Sequence, residues 1–282
     1  MKIRLGSVKT AALNILAVSF SLVYLFPVYI ILVNSFKNRA ELYENVLALP
    51  KSVSFQYYIN AMERMNFLSA LGNSFIVTSV SILFLAVLAS MTAWMLVRSG
   101  GGLSRFIFTI FVATMLIPFQ TLMMPLLQEM SAVKRATGLP MIDTLGALVY
   151  MNIGFGASLA VFLYHGFVKT IPVSLEEAAI IDGCNTFSVF WNIVFPMLKP
   201  VTVTVMVLDV IWIWNDYLLP SLILTSRAKR TIPLSTASFF GEFTIQWNMA
   251  MAGLMLTIIP VTVFYLCSQK YIIKGIAAGA VK

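Results

Sequence analysis

Six stretches dominate this chain, at roughly positions 11–33, 73–97, 106–128, 144–165, 200–224 and 248–269. Each is apolar, free of Lys and Arg, and long enough to cross about 30 Å of hydrocarbon as a helix. Inside a bilayer the backbone must satisfy its own hydrogen bonds, so a spanning segment is either a helix or part of a closed barrel. Barrel strands alternate polar and apolar residues in short segments, whereas these runs are continuous, which excludes a barrel. The expected fold is therefore an all-α integral membrane protein with six transmembrane helices in a single transmembrane domain, 1–282. Composition agrees: 60% of residues are hydrophobic and 11% charged, and mean hydropathy is +0.90. The isoelectric point near 9.5 is ordinary for a membrane protein and makes no case for nucleic acid.

Lys2, Arg4 and Lys9 precede the first apolar run, which is too long for the core of a secretory signal and lacks a small-x-small cleavage site, so a retained first helix is expected. Six spans put both termini on one side. That side carries ten Lys and Arg and the other nine, so the charge rule barely orients the chain. The polar connections on the nine-residue side are at about 34–72, 129–143 and 225–247. Two cysteines, Cys184 and Cys267, and one histidine, His165, exclude a multi-Cys/His metal site and a disulfide framework. His165, at the end of a span, reads as an interfacial or packed residue. The turn from Arg98 to Arg105 contains three consecutive glycines, yet no Gly-Lys pair occurs anywhere, so a Walker A loop is absent.

Asp209 and Asp216 are the charged residues inside the spans. Each costs about 2.5–3.5 kcal/mol at mid-membrane on insertion scales, so each should face protein or water. Between and after them runs Trp212-Ile213-Trp214-Asn215, then Leu218-Leu219-Pro220. Indole faces pack on sugar rings while Asn and Asp bond hydroxyls, so Trp214, Asn215 and Asp216 can line a carbohydrate path; they can equally be structural. For Asp209 the structural reading is preferred. Asn152, beside Gly154, Gly156 and Ser158, reads mainly as packing, with a substrate contact as the alternative. Pro118, Pro125 and Pro260 should bend their helices. On the side opposite the termini, Ser54 to Ile59 and Met62 to Leu71 suggest a short amphipathic helix on the membrane surface. The loop from Thr225 to Trp247 offers Phe239-Phe240-Gly241 as an apolar tip.

The polar-apolar island from Ile171 to Pro200, within a connection at about 166–199, should sit outside the bilayer. Ser174 and Glu177 form a capping-box pattern that can start a helix. Gly183 should break it, Asn185 or Thr186 should cap a second short helix, and Pro196 and Pro200 should end that helix near Phe195. Two short helices in an L, bearing Ile181, Phe187, Phe190, Trp191 and Ile193, have the profile of a docking element.

The pattern Glu177-Ala178-Ala179, Gly183, Ile193, Phe195-Pro196 resembles the EAA loop of bacterial ABC import permeases, with Phe195 where that family usually has Leu. The run from Trp214 to Pro220, Gln246 to Met251, the Pro260 region and the tail Tyr271 to Lys282 resemble the maltose-type sugar branch. The resemblance implies a type I importer permease fold in a bacterial cytoplasmic (inner) membrane, multi-pass with both termini cytoplasmic, moving a sugar or oligosaccharide and not acting as an enzyme. It implies as partners a second, different permease, two ATPase subunits that bind ATP and Mg, an extracytoplasmic solute-binding protein and membrane lipid, with no cofactor in this chain. It assigns ATPase coupling to Glu177, Ala178, Ala179, Asp182, Gly183, Phe187, Phe190, Ile193 and Pro196, and contact with the binding protein to Phe239, Phe240 and Gly241. The competing class is an ion-coupled secondary transporter using Asp209 or Asp216 as proton carrier.

Overall fold

The computed structural model describes residues 5–241 and 246–280. Lys2, Arg4, Glu242, Val281 and Lys282 lie outside the described residues. The described chain is helical in this order: α1 Leu5–Asn34, α2 Arg39–Glu44, α3 Gln56–Met65, α4 Phe67–Ser99, α5 Gly101–Thr114, α6 Phe119–Thr137, α7 Leu145–Val168, α8 Val173–Ile181 and α9 Thr186–Val189. There follow a π-helical turn Phe190–Val194, α10 Phe195–Met197, α11 Lys199–Asn215, α12 Leu218–Ile223, α13 Ile232–Thr236 and α14 Trp247–Ala280.

Four helices are individually long and apolar enough to cross a membrane, and two bent pairs raise the number to six. The expected third span is not one helix: α5 and α6 meet at 107°. Pro118 is the cause available in the sequence, since it has no N–H to give and stands extended at the N-cap of α6 (φ −62°, ψ 131°). α5 alone, with 14 residues, is about 21 Å long. α6 in turn runs to Thr137, into the expected outer connection at 129–143, and stops at Gly138 in the left-handed region (φ 74°). The second bent pair is Thr186–Met197 with α11, at 75°, and the expected fifth span is interrupted at Asp216 and Tyr217 between α11 and α12.

The chain forms two compact units. The first comprises 1–67 and 236–260. Its core is Ala61, Met65, Phe239, Ala250 and Ala252. Beyond α1, Lys37 is 1% exposed and its ammonium donates to Asn34 Oδ1 (3.0 Å), Asn45 O (2.9 Å) and Val46 O (3.3 Å). Burial among these neutral acceptors pulls the Lys37 pKa below its ordinary value, against a smaller upward pull from Glu41. The amphipathic segment expected across 54–71 is split, because Asn66 turns left-handed (φ 50°) after α3 and α4 begins at Phe67.

The second unit comprises 68–235 and 261–282. The buried face of α4 is mostly small: Ala70, Ser74, Thr78, Ser81, Ala86, Ala89, Ser90 and Ala93, at helical spacing. Small residues let helix backbones approach closely without a hydrophobic drive from water, as membrane packing requires. Gly156 on α7 shows the closeness, since a Cβ there would lie 2.7 Å from Leu85 Cδ1 and 3.5 Å from Trp212 Cζ3. The basic turn after α4 is tight rather than extended, with Gly100 (φ 60°) and Gly101 (φ 77°) reversing the chain between α4 and α5.

Candidate functional site

The segment from α8 to α10 is built by local rules, though not all of those expected. Ser174 caps nothing: Pro172 occupies the N-cap of α8, extended at φ −61° and ψ 128°, and Ser174 lies within the first turn. Proline is preset for this entry and removes an N–H that would otherwise be orphaned, so the capping box is displaced. The exit is as expected. Gly183 takes φ 88°, Gly183 N–H donates to Ile180 O (3.0 Å) and Cys184 N–H to Ala179 O (2.9 Å), the paired bonds of a Schellman ending. Asn185, not Thr186, caps the second arm by accepting from Ser188 N (2.8 Å). That arm runs two residues past Phe195, to Met197. The π-helical turn, in which Phe195 N–H reaches Phe190 O, widens the helix ahead of Pro196, which has no N–H to offer.

The two arms have distinct faces. Ala179, Val189, Phe190, Val194 and Leu198 are buried in a core with Ala93, Trp94, Tyr164, Val168 and Ile171. Phe190 packs against Trp94 (5.5 Å), Trp191 (5.3 Å) and Phe195 (5.7 Å). On the other face Ile181 is 85% exposed and Phe187 64%, next to exposed Glu177, Ala178, Asp182 and Gly183. Ile193 is half-buried and Pro196 exposed, so the nine expected coupling residues divide between an inner packing set and an outer apolar-acidic surface.

Sequence reasoning missed the residues that hold this segment in place. Glu176 is 6% exposed; its Oε1 accepts from Arg98 Nε (2.9 Å) and Nη2 (2.7 Å), and its Oε2 from Trp94 Nε1 (3.0 Å). Arg98 Nη2 also donates to Ile171 O (2.9 Å). The partners are 78 and 82 positions apart, beyond any local pattern. The available signal was the adjacent pair Glu176 and Glu177, since successive helical residues point about 100° apart and only one of them can face outward.

The other candidates are dispersed. Asn152 is 2% exposed, and among the described residues its Oδ1 has no hydrogen-bond partner; the same holds for Asp209 Oδ2 and Trp214 Nε1. Asn215 turns back on its own helix, donating to Ile211 O (2.8 Å). Asp216 accepts from the N–H groups of Leu218 (3.0 Å) and Leu219 (3.4 Å), which makes it the cap of α12. A cavity of about 770 Å³ opens between α5, α6 and α7, lined by Phe111, Thr114, Gly154, Phe155 and Ser158 among others, but not by Asn152, Trp214, Asn215 or Asp216. His165 stacks on Phe108 with ring centres 3.7 Å apart, the packed role expected. Phe239 is no tip: it is 1% exposed, with the Arg64 guanidinium 5.9 Å from its ring centre, while Phe240 is exposed and meets Trp247 edge-on, and Gly241 is exposed.

A second missed cluster joins two connections expected on the side opposite the termini. Asp143, at φ 56°, accepts from Thr225 N (3.0 Å), Ser226 N (2.9 Å) and the Ser226 hydroxyl, and pairs with Lys229 (3.3 Å). The Ser226 hydroxyl and backbone bonds, with Lys229 and Thr225 behind them, hold the Asp143 carboxyl well below the usual carboxylate range.

The family described as "Binding-protein-dependent transport system inner membrane component" matches residues 85–278, which contain both arms of the loop and the helices that hold it. The chain belongs to this family. Among relatives of this inner-membrane transport component is the "Probable starch degradation products transport system permease protein AmyC" of Thermoanaerobacterium thermosulfurigenes, 47% identical over 96% of each chain. Another is the melibiose/raffinose/stachyose import permease protein MelC of Bacillus subtilis (strain 168), 33% identical over 96% of each. A crystal structure of a bacterial ABC transporter involved in the import of the acidic polysaccharide alginate shares the fold, with a TM-score of 0.79 and 20% identity over 96% of this chain and 99% of that one.

Proposed function

We propose that this family member is the permease subunit of an ATP-driven importer, carrying a sugar or oligosaccharide released by an extracytoplasmic binding protein. Its expected partners are a second, different permease and two ATPase subunits, which bind ATP and Mg. Both termini and the α8–α10 segment face the cytosol in this reading. The observation that carries it is the two-armed segment itself, which is ordered by its own caps and clamped to α4, yet presents Ile181 and Phe187 outward beside Glu177 and Asp182. Exposed apolar side chains set beside the acidic Glu177 and Asp182 fit a protein partner better than lipid. The import and transport functions in the printed names of the starch-product and melibiose relatives support a carbohydrate as the cargo.

As to the proton-carrier alternative, Asp216 has a structural role that needs no proton, since its Oδ1 accepts from two backbone N–H groups at the start of α12. Proteoliposomes without any ion gradient separate the two classes. With the ATPase, the second permease and the binding protein present, ATP inside the vesicle should drive uptake of radiolabelled maltooligosaccharide. Uptake that needs a proton gradient and ignores ATP would refute the importer reading.

A further inference from the structure

Two adjacent glutamates on α8 do different work. Glu177 is exposed on the outer face, while Glu176 is buried and turned toward the last turn of α4. Both Glu176 oxygens are occupied: one by Arg98 through two donors, the other by the Trp94 indole. Trp94 and Arg98 are four residues apart and so share one face of α4. Arg98 also reaches the Ile171 carbonyl, just before the proline that starts α8, and Trp94 packs on Phe190 of the second arm. Both arms of the segment are thus gripped by a single helical turn of α4.

A buried ion pair adds little net stability compared with an apolar replacement, because desolvating two charges offsets their attraction. What this pair supplies is a fixed geometry. Directly after it the chain reverses at Gly100 and enters α5, a helix too short to cross the bilayer alone, which lines the 770 Å³ cavity and ends at the 107° break. A displacement of α8 is therefore imposed on the end of α4 and the start of α5.

We propose that Arg98, Glu176 and Trp94 form the link that transmits movement of the α8–α10 segment into the transmembrane helices. They are positioning residues for transport, distinct from the outward surface that would bind the ATPase. The inference rests on the importer reading.

The test uses the complete complex of both permeases, the ATPase and the binding protein, reconstituted in proteoliposomes with radiolabelled maltooligosaccharide as cargo. Glu176→Gln keeps size and hydrogen-bonding capacity and removes the charge; Arg98→Gln removes the other partner; a third variant combines Arg98→Glu with Glu176→Arg. The single variants should retain the ATPase at parental stoichiometry and hydrolyse ATP, while sugar moved per ATP falls about tenfold. The reversed pair restores the attraction but not the bonds to Trp94 and Ile171, so it should recover part of that ratio and exceed both single variants. An unchanged ratio in both single variants would overturn the proposal, and so would loss of the ATPase in proportion to loss of transport, because the pair would then only shape the docking surface. A variant that fails to assemble counts as that second result. Absence of ATP-driven uptake in the parent complex would instead remove the importer reading, and this inference with it.

Discussion

The sequence leaves Asp216 equally open to a substrate contact and a structural role, and in the structure its Oδ1 caps the start of α12. Asn accepts the same two backbone bonds, so Asp216→Asn should leave stability and transport close to the parent. Asp216→Ala should cost about 0.5–2 kcal/mol, seen as a lower melting temperature in detergent. Loss of transport in the Asn variant, with stability intact, would return Asp216 to the proton-carrier role. Asp143 makes a prediction about pH. Its pKa is depressed by folding, so its stabilising contribution is fully present above its unfolded value near 3.8 and is lost only as pH falls through the lower folded value. Protection of the Thr225 and Ser226 amides from hydrogen exchange, corrected for intrinsic rates, should therefore be constant between about pH 8 and pH 5. Asp143→Ala should lower that protection at every pH in the range.

At the scale of elements, what was legible was local chemistry. Gly183 and Asn185 announced the end of one arm and the cap of the next because each acts on its immediate neighbours. Ser174 misled because Pro172 provides an equally local entry two residues earlier, and Pro196 misled because a π-helical turn absorbs the missing donor. The apolar runs marked where helices lie and Pro118 announced a bend, but nothing local fixes its size, so a 107° break between two separate helices was not legible. Contacts between distant elements, such as Arg98 with Glu176 or Asp143 with Ser226, have no local signature. Two substitutions test this division. Gly183→Pro removes the N–H donated to Ile180 and forbids φ 88°, and should disorder the turn between the arms, read as faster exchange at Cys184 and weaker ATPase retention. Gly253→Ala would place a Cβ 2.5 Å from Phe239 Cε2 and 3.2 Å from Met65 Sδ. Overpacking this core should cost about 1–3 kcal/mol in a melting experiment on the purified permease.

For the whole molecule, the outward face of α8–α10 is where the proposed reading places the ATPase. A lost interfacial ion pair costs about 2–5 kcal/mol, and each 1.4 kcal/mol is tenfold in affinity, so reversing one exposed charge should be visible in assembly. Glu177 is the residue to reverse, because it is exposed, lies outside every span and is not part of the grip on α4. The orientation can be checked in the same cells: with Cys267 replaced, the half-buried Cys184 should react with an impermeant maleimide only from the cytosolic side, and less when the ATPase is bound. The deciding experiment is co-purification of the ATPase with the parent and with Glu177→Lys, followed by ATP-driven uptake of maltooligosaccharide in the same vesicles. The parent should retain the ATPase and transport, while Glu177→Lys, still inserted in the membrane, should lose both by at least about tenfold. Full ATPase retention and undiminished uptake in Glu177→Lys would mean that this surface is not where the ATPase couples.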